Sequence, residues 1–268
     1  MNQKFIPSGF FLTLEGPDGS GKTTQASLLA TKLKEEGYSV ILTREPGGTK
    51  LAEKIRNLLL DPDTKLCQKT ELLLYLAARA QHVNDVIKPA LAEGKIVICD
   101  RFNHSTMVYQ GLTQDNVNID EIDAINEFAS DKIEPDYTIV LDADPAELLA
   151  RRKNRGVQDK YEKYGLLFQE KVRNGFLTLA NEWYPEHMSI VNALQPEETV
   201  LQNILDILHL KLEAIDKWND LEAIFCDDND CIEKDWQHFP KGTPKIDVWR
   251  WFEETYHVSV RDDLIWRS

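Results

Sequence analysis

The sequence predicts an α/β fold: a five-stranded parallel sheet with helices on both faces, followed by a small C-terminal appendage. Three observations predict it. Apolar runs of strand length alternate with stretches of helical period over most of the chain. A glycine-rich turn joins the first run to the first helical stretch, as a phosphate-cradling loop requires. Apolar residues make up 42% of the 268, enough for a sizeable core, while 28% are charged, so wholesale disorder is excluded.

The elements follow in order. Phe10 to Glu15 reads as the first strand and Thr23 to Glu36 as the first helix. Tyr38 to Thr43 is the second strand, and Lys50 to Leu60 a helix stopped by Asp61-Pro62. Thr70 to Glu93 reads as one long helix ended by Gly94. Lys95 to Cys99, Asp136 to Leu141 and His187 to Val191 supply the remaining strands, and a last helix runs from about Glu197 to Lys217. Near residue 212 the composition changes: five of the six Trp follow, amid an excess of acidic residues. Strings such as Val248-Trp-Arg-Trp-Phe252 are too aromatic for a disordered tail. Two domains are expected, residues 1–212 and an acidic, Trp-rich extension over 213–268 whose role the sequence does not state.

Charge narrows the function. Acidic residues outnumber basic ones 45 to 31, for a net charge of −14. That balance argues against nucleic acid or an anionic membrane as partner, so an anionic ligand must meet a few locally placed cations. No apolar run is long enough to span a bilayer, and residues 1–9 lack a secretory leader's layout. Four scattered cysteines make no disulfide scaffold. A soluble cytoplasmic protein is the expectation.

Gly16-Pro-Asp-Gly-Ser-Gly-Lys-Thr23 fits the pattern G-x-x-x-x-G-K-S/T in its required strand-to-helix setting. Glycines at 16, 19 and 21 let backbone N–H groups turn onto phosphate oxygens at the positive end of the helix. Lys22 reaches the β and γ phosphates, and the Thr23 hydroxyl ligates Mg²⁺. Gly16, Asp18, Gly19, Ser20, Gly21, Lys22, Thr23 and Thr24 thus form the expected site for ATP or GTP.

The loop does not say where the phosphoryl group goes. Arg44, Arg79 and Arg101 each fall where the carboxyl edge of the sheet would open. Singly, each suits a surface ion pair. Together they suit an anionic second substrate, which points to a nucleoside monophosphate. A phosphate oxygen is already ionised near neutral pH, so catalysis reduces to positioning and charge neutralisation, whereas a hydroxyl acceptor needs a base.

Thr43-Arg-Glu-Pro-Gly-Gly-Thr49, Tyr75-Leu-Ala-Ala-Arg79, Asp100-Arg101, Ser105-Thr106 and Tyr109-Gln-Gly111, with the phosphate loop, resemble bacterial thymidylate kinases over roughly residues 8–212. The resemblance implies an Mg²⁺-dependent, ATP-using enzyme that phosphorylates dTMP and pairs as a homodimer. It implies that Asp18 meets the sugar 3′-hydroxyl or the metal region, and that Arg44 and Arg101 hold the acceptor phosphate. Tyr75 would stack on thymine and Arg79 reach a thymine carbonyl. Ser105, Thr106 and Gln110 would complete the polar contacts, Tyr109 would crowd the sugar 2′ position, and Asp100 would help organise Mg²⁺, directly or through water.

Arg151-Arg-Lys-Asn-Arg155-Gly156 concentrates cations after the fourth strand and its helix. Such a run fits a solvated helix end, or a flap that closes over the triphosphate. The resemblance implies that a catalytic arginine sits in the loop or in this lid. Gly19 holds the loop position, so Arg155 is the candidate, with Arg151 in support. Lys160 stands where many relatives carry Arg and lacks the planar fork. Asn192-Ala-Leu-Gln-Pro-Glu197 matches the family's turn against adenine, although turn chemistry alone explains its Asn and Pro. Cys226 and Cys231 are spaced poorly for zinc. Two alternatives stay open: a related kinase acting on a nucleoside or another monophosphate, and a non-catalytic nucleotide switch whose tail docks a partner.

Overall fold

A computed structural model describes residues 4, 6, 8–114, 117–153 and 165–226. Five strands form one sheet: β1 (Phe10–Glu15), β2 (Val40–Arg44), β3 (Ile96–Asp100), β4 (Tyr137–Asp142) and β5 (Met188–Asn192). Their spatial order is β2-β3-β1-β4-β5, and every neighbouring pair is parallel. The expected five-stranded parallel α/β architecture is the observed one. The central strands are buried along their whole length, which is why they read as unbroken apolar runs.

The helices are α1 (Lys22–Glu35), α2 (Lys50–Leu60), α3 (Gln68–His82), α4 (Lys88–Ala92), α5 (Asn103–Thr106), α6 (Ile119–Ser130), α7 (Pro145–Lys153), α8 (Gly165–Thr178) and α9 (Glu197–Cys226). The single helix expected over residues 70–93 is instead α3 and α4 joined by a π-helical turn, Val83–Ile87. Pro89 in α4 has no N–H to offer the ladder, and the wider register just before it accommodates that loss. A second π segment, Met107–Leu112, extends α5 and carries Tyr109 and Gln110. The last helix runs nine residues beyond the expected Lys217, to Cys226.

Side-chain alternation puts Phe11, Val97 and Cys99 on one sheet face with Val83, Ile87 and Phe102, all fully or almost fully buried. Val140 on the same face packs with Val108, Val172 and Phe176. Helix α1 lies against the first three strands with Leu29 and Leu33 buried. The carboxyl ends of β1, β2 and β3 therefore open together, at Glu15, Arg44 and Asp100. The chain divides into two compact units, Met1–Leu205 and Asp206–Ser268, and the catalytic candidates all fall in the first.

Candidate active site

The turn after β1 is shaped by glycine. Gly16 has φ +129°, and a Cβ there would come within 2.5 Å of the Leu141 carbonyl oxygen in β4. Only glycine lets the loop pass so close to the sheet. Gly21 caps α1 in the left-handed region, so the helix begins at Lys22 with no side-chain cap and its first N–H groups face the loop. Lys22 Nζ donates to the carbonyls of Gly16 and Pro17 (3.0 and 2.8 Å). Burial, reinforced by the positive charge of Arg101, pushes the Lys22 ammonium down to about 8. Ser20 Oγ is buried with no hydrogen-bond partner among the described residues, and the Thr23 hydroxyl donates to the carboxylate of Asp100 at the end of β3.

A cleft of about 310 Å³ opens over this loop. Of the expected residues, Asp18, Gly19, Gly21, Lys22, Thr23, Thr24, Arg44, Tyr75, Arg79, Asp100, Arg101, Ser105, Thr106, Tyr109 and Gln110 line it. Gly16, Ser20 and Arg151 do not, and Arg155 and Lys160 lie outside the described residues.

Arg101 follows β3 with φ +72°, a left-handed backbone unusual for a side-chain-bearing residue. Its guanidinium pairs with Asp18 of the loop, donates to Ser105 Oγ (2.9 Å) and reaches Tyr109 Oη (3.4 Å). It also lies 5.2 Å from the centre of the Tyr109 ring. Burial holds the Tyr109 phenol well above its usual range, so it acts here as a neutral hydroxyl. Behind Arg101 stands Glu15, fully buried. Burial raises its carboxyl pKa, against the pull of the Arg101 charge and of its hydrogen bonds.

Arg79 is set in a second buried network. Its Nε donates to Glu45 (2.8 Å), Nη1 to Asn126 (2.5 Å) and Nη2 to Thr106 (3.0 Å). Glu45 also meets His82 Nδ1 at 2.9 Å, and His82 Nε2 lies 2.7 Å from Thr43 Oγ1. Gly48 permits that arrangement, because a Cβ there would come within 2.5 Å of the His82 ring. Among the described residues three of the guanidinium's five N–H groups are engaged, which leaves two for other partners. Arg44 differs: it is half-exposed and ion-paired with Glu53 (2.8 Å).

Sequence reasoning missed Glu15, Glu45, Arg56 and Phe102. Arg56 lines the cleft and donates to the Pro46 carbonyl (2.8 Å). Phe102 lies under the Arg79 guanidinium, 5.0 Å from it. Glu15, a carboxylate closing an otherwise uncharged buried strand, was the one with a visible signal. Arg151 donates to the carbonyls of Ala193 and Leu194 (2.9 and 3.5 Å), so it braces the turn after β5. His104 is buried and held neutral, with its pKa pushed down to about 3 by burial, and it packs against Tyr184.

A family model described as thymidylate kinase matches residues 14–204, a span that contains the cleft's lining. The chain belongs to the thymidylate kinase family. A thymidylate kinase of Exiguobacterium sibiricum is 45% identical over 194 residues, covering 72% of this chain and 91% of that one. One from Pseudomonas putida (strain W619) is 47% identical over 200 residues, covering 74% and 95%. The crystal structure of thymidylate kinase from Ehrlichia chaffeensis superposes with a TM-score of 0.60 at 38% identity, covering 75% of this chain and 99% of that chain. The thymidylate kinase match stops short of the acidic, Trp-rich segment.

Proposed function

We infer that this family member catalyses the reaction its family is named for: ATP and dTMP give ADP and dTDP. An oxygen of the dTMP phosphate forms a bond to the γ phosphorus while the bond to the β–γ bridging oxygen breaks. The bond pair leaves with ADP. The attacking oxygen carries no proton at neutral pH, so the site needs charge and alignment rather than a base.

One juxtaposition supports this most strongly. The guanidinium of Arg101 is tied to Asp18 of the phosphate loop, so a cation suited to an acceptor phosphate stands directly against the donor's cradle. In our assignment the loop residues Gly16 to Thr24, with Lys22, hold the triphosphate, and Arg44 and Arg101 hold the dTMP phosphate. Tyr75, Arg79, Thr106 and Gln110 form the thymine side, and Tyr109 and Asp18 flank the sugar. Arg155, with Arg151 in support, is the candidate for the guanidinium that would meet charge formed during transfer.

Thr23 and Asp100 fit Mg²⁺. Both present oxygen donors, already hydrogen-bonded to each other at the loop. Among the described residues no group of three or more His, Cys, Asp or Glu is arranged around a metal, and Mg²⁺ ordinarily takes few protein ligands beside phosphate and water. When bound, the ion offsets negative charge on the transferring phosphates.

Two copies are expected to associate. The half-exposed Leu51 and Leu58 of α2 and Leu73 of α3 support this, and sedimentation at micromolar concentration tests it. The nucleotide substrates imply a cytoplasmic location.

The deciding experiment offers ATP and Mg²⁺ with a panel of monophosphates and with thymidine. dTMP should be the preferred acceptor and thymidine inert. Preference for thymidine would overturn the assignment.

A further inference from the structure

We propose that Glu15 is a positioning residue for the phosphoryl acceptor: its buried carboxylate fixes Arg101 by way of Ser105. The inference rests on the assignment of Arg101 to the dTMP phosphate.

Glu15 ends β1 and is wholly shielded from solvent. A carboxylate in that position is costly unless its oxygens are satisfied. One oxygen accepts from the backbone N–H of Phe102 (2.8 Å) and of Ser105 (3.1 Å). The other accepts from Ser105 Oγ (2.6 Å), the same hydroxyl that accepts from Arg101 Nη1 (2.9 Å). The chain of contacts is therefore directional, with Arg101 donating to Ser105 and Ser105 donating to Glu15. A hydroxyl has one proton, and here it is committed to Glu15, which turns a lone pair toward the guanidinium.

The backbone needs the same anchor. Arg101 is left-handed at φ +72°, a conformation that persists only where its surroundings over-determine it. On its N-terminal side the Arg101 N–H is tied to the Leu14 carbonyl (3.0 Å). On its C-terminal side the chain is tied by the two N–H groups that Glu15 receives. Glu15 thus holds both the peptide after Arg101 and, one link away, the tip of its side chain. Among the described residues the hydrogen bonds of the Glu15 carboxylate go to Phe102 and Ser105, and its tie to the triphosphate side is the weaker, through-space pull on the Lys22 charge.

Glu15→Gln separates this from a purely structural role. The amide oxygen can keep both backbone N–H bonds, so the turn stays anchored. The amide nitrogen then faces Ser105, which loses the acceptor for its proton, while the new N–H competes with Arg101 for the hydroxyl lone pairs. Ser105→Ala removes the link and leaves Glu15's backbone bonds intact.

The test is steady-state kinetics on the full chain carrying Glu15→Gln, Ser105→Ala, both together, or Arg101→Ala, with ATP affinity measured separately by equilibrium binding. Glu15→Gln and Ser105→Ala should each lower kcat/KM for dTMP by about tenfold or more, since misplacement of a binding group is felt at the reacting atoms. ATP affinity should stay within about twofold, and the double variant should lose little more than the worse single one. Wild-type dTMP kinetics in either variant, an equal loss of ATP affinity, or fully multiplicative losses would each overturn the proposal. If Glu15→Gln does not fold, Ser105→Ala alone decides, by the same criteria. A dTMP defect in Arg101→Ala beside normal Glu15→Gln kinetics refutes the positioning role alone. Normal dTMP kinetics in Arg101→Ala refutes the assignment and the inference with it.

Discussion

The two sides of the cleft are built differently. On the side proposed for the acceptor the cations are held by side chains from several elements: Arg101 by Asp18, Ser105 and Tyr109, and Arg79 by Glu45, Asn126 and Thr106. On the side proposed for the triphosphate the order comes mainly from backbone. Lys22 donates to two loop carbonyls, those of Gly16 and Pro17. The difference follows from the task. A triphosphate is gripped by a run of N–H groups at a helix start, which any glycine-rich turn of this shape provides. Choosing one small monophosphate takes forked donors at fixed angles, and those need carboxylates and amides to aim them.

Lys22→Ala should break the donor side most severely. Removing the ammonium should lower kcat by about 10³-fold, read in single-turnover assays with saturating nucleotide. Retention of most activity would show that backbone alone suffices there. Arg155→Ala should cost about 10²-fold, mainly in kcat, if its guanidinium meets charge formed during transfer. An equal loss of ATP affinity would instead make it a ground-state binding group.

The pH dependence sharpens the contrast further. Lys22 is displaced down to about 8, so the free enzyme's ATP affinity should fall as pH rises through that value. The fall should reach about tenfold per pH unit at its steepest, and Lys22→Arg should remove the inflection. The linked stability effect has the opposite sense. Between about 8 and 10.5 the unfolded chain holds the extra proton, so this residue's contribution to stability rises with pH across that window. The smallest effect is expected at Glu53→Gln. Its partner Arg44 is half-exposed, so stability should change by less than about 1 kcal/mol in denaturant titration, with dTMP affinity unweakened. A larger loss would mean that Arg44 needs the same aiming as Arg101.

How far the sequence could be read follows from the same physics. Buried parallel strands such as Ile96–Asp100 declare themselves as apolar runs, and the phosphate loop declares itself by its glycines. Most of the residues lining the cleft were accordingly found from motifs. The supporting residues were not. Glu45 sits inside a recognised string yet gives no sign that it faces Arg79, because that contact joins residues 34 apart. Arg56 looks like any surface cation of an amphipathic helix until α2 is seen against the cleft. The π turn at Val83–Ile87 was hidden because hydrophobic spacing cannot distinguish a helix that briefly widens from one that does not.

The most direct measurement replaces Arg101 with alanine and reads both substrates in one preparation. Loss of dTMP kcat/KM by about 10²-fold or more, with ATP affinity unchanged, is the predicted result. ATP affinity falling in step with dTMP use would contradict the division of the cleft into a donor side and an acceptor side.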